Sequence, residues 1–105
     1  MRVRSRRGIE LLRRREGKAE GFAYVIEAVR RAAAEPTQTV AILTAAHTEP
    51  ARQPKEQIRY DTAVSQLEEL IRQAKASPSS FAASAASRED ALEWQRRRLL
   101  RHLPR

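Results

Sequence analysis

The sequence has no cysteine, three glycines, two histidines and five aromatic residues, and each shortage removes a class of function. Without cysteine there is no disulfide, no thiolate nucleophile and no thiolate metal site, and His47 with His102 are too few for a histidine-rich one. No metal or cofactor is expected. Gly8, Gly17 and Gly21 lack the spacing of a phosphate-cradling loop, and none follows a strand-forming run. The adjacent acids Glu68 and Glu69 would point in different directions on a helix, so they read as a solvated face and not as an acid/base pair. The expectation is a non-enzymatic protein without a small-molecule substrate.

Long apolar runs are also missing. A transmembrane helix needs about 18 or more apolar residues in succession, and no stretch approaches that. Ser5, Arg6 and Arg7 superficially resemble a twin-arginine export signal, but Leu11 and Leu12 run straight into Arg13, Arg14 and Arg15, which leaves no apolar segment behind them. A soluble, cytoplasmic protein is expected. Bulky aliphatic side chains are scarce as well. Leu, Ile, Val and Phe together supply 21 of 105 residues, while Ala alone supplies 18. That composition lies near the border at which high net charge favours disorder. One small domain with little apolar area to bury is expected to be marginal as a monomer, so that self-association or a partner completes the fold.

What is abundant is positive charge, and it is unevenly placed. The chain carries 21 basic against 13 acidic residues, a formal charge of +8. Residues 1–31 hold ten basic against four acidic groups, residues 32–87 five against six, and residues 88–105 six against three. Gathering the surplus at the two ends raises the potential there and attracts phosphate or acidic surfaces at long range. Arg outnumbers Lys 18 to 3, and Ala matches Arg at 18, a joint excess that GC-rich codons produce whatever the function. The argument therefore rests on the clustering and not on the choice of Arg over Lys.

The first organised stretch runs from Ile9 to Glu35. Phe22, Val25, Ile26, Val29 and Ala33 recur at three- and four-residue spacing, one face of a helix, and Ile9, Leu12 and Ala19 extend it upstream. Gly17 and Gly21 each cost about 1 kcal/mol relative to Ala in a helix interior, so a break or kink between them is expected. Pro36 ends the helix. Thr37 to His47 mixes strand-favouring Thr37, Thr39, Val40 and Ile42 with helix-favouring Ala41, Leu43, Ala45 and Ala46; a short helix is the reading adopted, since a lone strand would need a second copy to pair with. After a proline-punctuated connection the second firm helix runs from Pro54 to about Ala76, with the stripe Tyr60, Ala63, Val64, Leu67, Leu70, Ile71 and Ala74. Residues 77–87, introduced by Pro78 and poor in bulky groups apart from Phe81, read as a Ser/Ala-rich linker or a weak helix. A third helix follows, with Ser87 as its cap, Glu89, Asp90 and Glu93 near the positive end of its dipole, and Pro104 after it. No solenoid repeat and no sustained heptad is present. The expected fold is all-α, a small bundle of three or four helices over residues 9–103, open or completed by oligomerisation, preceded by a basic arm at residues 1–8.

The basic ends are the only feature that carries a functional signal. Arg2, Arg4, Arg6 and Arg7 form an arm with no acid before Glu10, and Arg13, Arg14 and Arg15 continue it onto the helix. Such an arm can follow a phosphate backbone and release a counterion for each phosphate it neutralises. Arg96, Arg97, Arg98 and Arg101 supply a second set. No aromatic is interleaved among the Arg runs, so a stacking platform for single strands is not indicated. A helix-turn-helix is not indicated either, because Phe22, Val25 and Ile26 would spend a recognition helix on core. A ribbon-helix-helix would need Thr37 to Thr44 as an intersubunit strand, with too long a gap to Pro54. Two expectations remain: association with nucleic acid or a nucleoprotein assembly through these eleven arginines, or docking as a helical adaptor or inhibitor on an acidic protein surface. A membrane-surface role is weaker, since Glu10, Glu16, Glu20 and Glu27 interrupt the charge of the first helix.

Overall fold

A computed structural model describes the backbone of residues 6–49 and 57–101, and the side chains of residues 14–49 and 61–101. Among the described residues five α-helices follow one another: α1 (Arg6–Ala34), α2 (Thr39–Thr48), α3 (Gln57–Ala76), α4 (Pro78–Ala83) and α5 (Ala85–Arg101), with a 3-10 turn at Pro36–Gln38. No strand occurs among the described residues, and the protein is a small all-α bundle.

α1 is the central element. Ala19, Phe22, Val25, Ile26, Ala28, Val29 and Ala32 are all buried along it, a wider band than a single amphipathic stripe, because α5, α3 and α2 all pack against it. Ala28, Ala32, Ala63 and Ala74 are fully enclosed. Their small side chains let neighbouring helices approach closely, so an alanine-rich sequence fills its core by proximity where larger residues would fill it by volume. The bulky groups that complete the cluster are Leu43 from α2, Leu67 and Leu70 from α3, Phe81 from α4 and Leu92 from α5.

Polar contacts fix the corners. α1 ends before Pro36, and the hydroxyl of buried Thr39 lies 3.1 Å from the Ala32 carbonyl and 3.0 Å from that of Pro36. One hydroxyl proton serves both acceptors, and one of them is a carbonyl that the end of α1 leaves without a helical partner. The Tyr24 hydroxyl donates to the Ala46 carbonyl at 2.8 Å, which ties the last turn of α2 back to α1. Arg88 joins three elements: its Nε donates to Ser84 Oγ at 2.9 Å, its Nη1 to Gln73 Oε1, and its guanidinium lies over the Phe81 ring.

Three expectations need correction. α1 runs unbroken through Gly17 and Gly21, and it begins at Arg6, so Arg6 and Arg7 belong to its first turn and not to an arm. Gly21 is buried within it, and packing on both sides outweighs the intrinsic cost of about 1 kcal/mol per glycine. Of the two readings of the segment 77–87 the helical one holds and the linker one does not: it is α4 followed directly by the start of α5. Phe81 is the reason: it is completely buried, and placing it there requires the short helix that Pro78 opens. α5 accordingly starts at Ala85, so Ser87 is not its cap; the amide of Arg88 already bonds back to the Ser84 carbonyl. The helix reading of Thr37 to His47 agrees with α2, which leaves no strand there for a ribbon-helix-helix. The start of the second helix near Pro54 lies outside the described residues.

Candidate functional site

The two arginine-rich segments meet at one end of the bundle. Arg30 of α1 donates to Glu89 of α5 at 2.9 Å, whereas Arg15, Lys18 and Phe22 share a groove with Gln95, Arg98 and Leu99. α1 and α5 are therefore antiparallel, and the beginning of one lies beside the end of the other. Among the described residues, Arg14, Arg15 and Lys18 of α1 thus lie toward the same end of the bundle as Arg98 and Arg101 of α5.

The arginines named from the sequence fare differently there. Arg14, Arg15, Arg98 and Arg101 are exposed on the surface. Arg6, Arg7 and Arg13 lie on α1, with side chains outside the described residues, and Arg2 and Arg4 lie outside them altogether. Arg96 and Arg97 converge on one acid: Arg96 Nη2 is 2.7 Å and Arg97 Nε 3.2 Å from Glu93 Oε1. The Arg96 hydrogen bond is the main reason the Glu93 carboxyl falls from its ordinary value to about 2, against an opposing effect of partial burial. Arg96 and Arg97 are thus engaged by the protein's own carboxylate.

Each side of the α1–α5 seam carries its own depression. On one side lies an open groove of about 760 Å³ between α1, α3 and α5. Among the described residues Phe22 and Leu99 supply its apolar lining, Arg15, Lys18 and Arg98 its cations, and Asp61 on α3 an acid. On the other side a depression of about 470 Å³ is lined by Arg30, Arg96 and Arg97 together with Glu89, Asp90 and Glu93, so its charges cancel. The acids of α5 that the sequence assigns to helix electrostatics lie beyond its first turn, which holds no acid, because the helix begins at Ala85; they neutralise this second side instead.

Two participants escaped the sequence reading. Lys18 was passed over because it stands apart from the Arg run, yet it is three residues from Arg15, the spacing that puts both on one helix face. Trp94 was set aside as an aromatic outside the clusters. It is 57% exposed, and the Arg98 guanidinium sits 5.5 Å from its ring centroid, four residues on. Leu100, 38% exposed, lies at the same end of α5.

Among the described residues no group of three metal-ligating side chains comes together, and no helix is long and apolar enough to cross a membrane. No family model, curated protein or solved structure matches the chain.

Proposed function

We propose that this protein is a non-enzymatic, cytoplasmic accessory protein that associates with nucleic acid, or with a nucleoprotein assembly, through the basic end formed by α1 and α5. The observation that carries the reading is the antiparallel seam, which puts Arg15, Lys18 and Arg98 around one groove with Arg14 and Arg101 exposed on the same two helices. The start of α1 adds support. Arg6 and Arg7 occupy its first turn with no acid there, although the helix dipole favours acids at that end by about 0.3–1 kcal/mol each. Local helix stability is given up for positive potential, which suits an anionic partner.

The test is binding to labelled DNA across a salt series from ~50 to ~200 mM, with Arg98→Ala compared against Arg97→Ala. Association should weaken steeply with salt. Arg98→Ala should flatten the log–log slope by about 0.9 on duplex or about 0.7 on single strands, while Arg97→Ala, on the neutral side, leaves it nearly unchanged. Absence of binding at the lowest salt removes the reading.

A second reading has its own observation. Trp94 and Leu100 are exposed apolar groups beside arginines, a combination enriched at protein interfaces. On that reading the same end docks on an acidic protein surface, or on a second copy once an acid from it is supplied, and sedimentation of the purified protein reports the latter.

A further inference from the structure

We infer that the ligand of the basic end is single-stranded nucleic acid, with one base stacked on Trp94 and the adjoining backbone phosphates at Arg98 and Lys18. The inference rests on the nucleic-acid reading above and specifies which form of nucleic acid that site takes. Its starting point is the position of Trp94. An indole is the largest apolar group available to a core short of bulky residues, and in a folded protein it is normally well covered. Here it stands 57% exposed on α5 while Leu92, two residues earlier, is buried. The outward face of α5 carries it in a row with Arg98 and Arg101, at spacings of four and seven residues, so an aromatic surface lies directly beside two cations.

Arg98 links this face to the groove. Its guanidinium covers part of the indole, with the carbon 5.5 Å from the ring centroid, and the same side chain lines the groove opposite Lys18. A strand whose phosphate sits at Arg98 therefore has its next base within reach of Trp94. The charges in the groove orient the rest. Lys18 and Arg98 put cations on the α1–α5 wall of the groove, which suits that wall to the backbone. The bases then face α3, where Ser65 and Gln66 offer a hydroxyl and an amide, donors and acceptors that suit any base edge without a fixed code. A duplex cannot use Trp94 in this way, since its bases are already stacked and paired, and unstacking one costs a few kcal/mol. A positively charged groove combined with an exposed ring is the physical basis of sequence-tolerant single-strand binding.

Trp94 is the only tryptophan of the chain, so its intrinsic fluorescence reports this contact and no other. The experiment titrates the full chain with dye-labelled oligo-dT, a labelled duplex of equal length and labelled poly-glutamate, for the native sequence and for Trp94→Ala, Trp94→Phe, Trp94→Leu and Arg98→Ala; anisotropy of the label gives the affinity of every variant, and indole fluorescence is followed in the native protein and Arg98→Ala, which keep Trp94. Oligo-dT should quench the fluorescence and bind more tightly than the duplex. Trp94→Ala should weaken oligo-dT binding by roughly 5- to 150-fold, the equivalent of one stacked base, with an unchanged salt slope. Trp94→Phe should retain most of the affinity because it keeps a ring, and Trp94→Leu should lose it. Arg98→Ala should make the slope shallower by about 0.7. Circular dichroism of each variant should match the native spectrum, as the substituted groups are on the surface. If Trp94→Ala or Trp94→Leu binds oligo-dT as the native protein does, stacking is refuted although binding to nucleic acid stands. If nothing but poly-glutamate quenches the fluorescence, the occupant is an acidic protein segment and both the inference and the reading beneath it fall.

Discussion

The two sides of the α1–α5 seam draw on the same kinds of side chain and reach opposite electrostatic outcomes. On the side facing α3, Arg15, Lys18 and Arg98 meet one carboxylate, Asp61. On the other side Arg30, Arg96 and Arg97 meet three, Glu89, Asp90 and Glu93. Counting arginines in a run therefore says little about binding. Three successive residues, Arg96, Arg97 and Arg98, are separated by about 100° steps around a helix, and that rotation sends two of them to Glu93 and the third to the open groove and Trp94. Cationic surface useful to a partner is what remains after the protein's own acids have been satisfied.

The most damaging way to break the comparison is to remove the packing that presents both sides. Phe81 is fully buried, stacks against Arg88, and anchors the α4 segment between α3 and α5. Phe81→Ala should cost about 3–5 kcal/mol, a large part of the stability of a domain this size. Urea unfolding followed by circular dichroism would show a lowered midpoint or loss of the transition. A change below ~1 kcal/mol would mean that the segment is no more than a tether.

Phe81 also marks the boundary of what the sequence discloses. The stripes of α1 and α3 were legible because each is a local, periodic pattern, and Phe22, Val25, Ile26 and Val29, like Leu67, Leu70 and Ala74, are buried as the spacing requires. The helix at Pro78–Ala83 was legible only as one of two readings, because Ser79, Ser80, Ala82 and Ala83 carry no periodic signal and what decides for the helix is a tertiary slot for one ring. Continuity through Gly17 and Gly21 was hidden for the same reason: propensity is local, and the packing that overrides it is not. At the candidate site the identity of the arginines was readable, but their partners were not. Which arginines keep their charge for an external ligand depends on the antiparallel pairing of α1 with α5, a contact across some seventy residues that no short-range pattern encodes. The spacing of Trp94 and Arg98 was in plain view and was given too little weight.

A gentler way to sharpen the comparison is to convert the neutral side into a basic one. Glu93→Gln keeps the shape and removes the charge that holds Arg96 and Arg97. Both cations then become available, so affinity for DNA should rise and the salt slope should steepen by roughly one to two contacts at ~0.9 each. Stability should fall by no more than about 1 kcal/mol, since this is a solvent-accessible pair. The acid response carries the sign. Glu93 titrates at about 2 in the folded protein, below its ordinary 4.5, so the unfolded chain takes up a proton first as pH falls. Its contribution is fully present above about 4.5 and is lost between there and about 2. The native protein should therefore lose stability across that window by more than Glu93→Gln does, with thermal melts at successive pH values as the measurement. Equal losses would show that the Glu93–Arg96 bond is not maintained in solution.

The smallest expected effect lies at Gly17, beside Arg15 and Lys18 on the stretch of α1 that forms the basic wall. No glycine among the described residues has a positive φ, so alanine at this half-exposed position adopts the existing backbone without strain. Gly17→Ala should then add about 0.5–1 kcal/mol, partly by stiffening the helix and partly by reducing the freedom of the unfolded chain. Gly21, which is buried, is the internal control: there a methyl group meets packed neighbours, and overpacking commonly costs about 1–3 kcal/mol. A rise in melting temperature for Gly17→Ala with a fall for Gly21→Ala would locate close packing at the second glycine alone. If the first substitution also tightens DNA binding slightly, the positioning of Arg15 and Lys18 by a rigid α1 belongs to the site. If it stabilises the fold and leaves affinity untouched, the wall is already ordered, and the contrast between the two sides of the seam is one of charge alone.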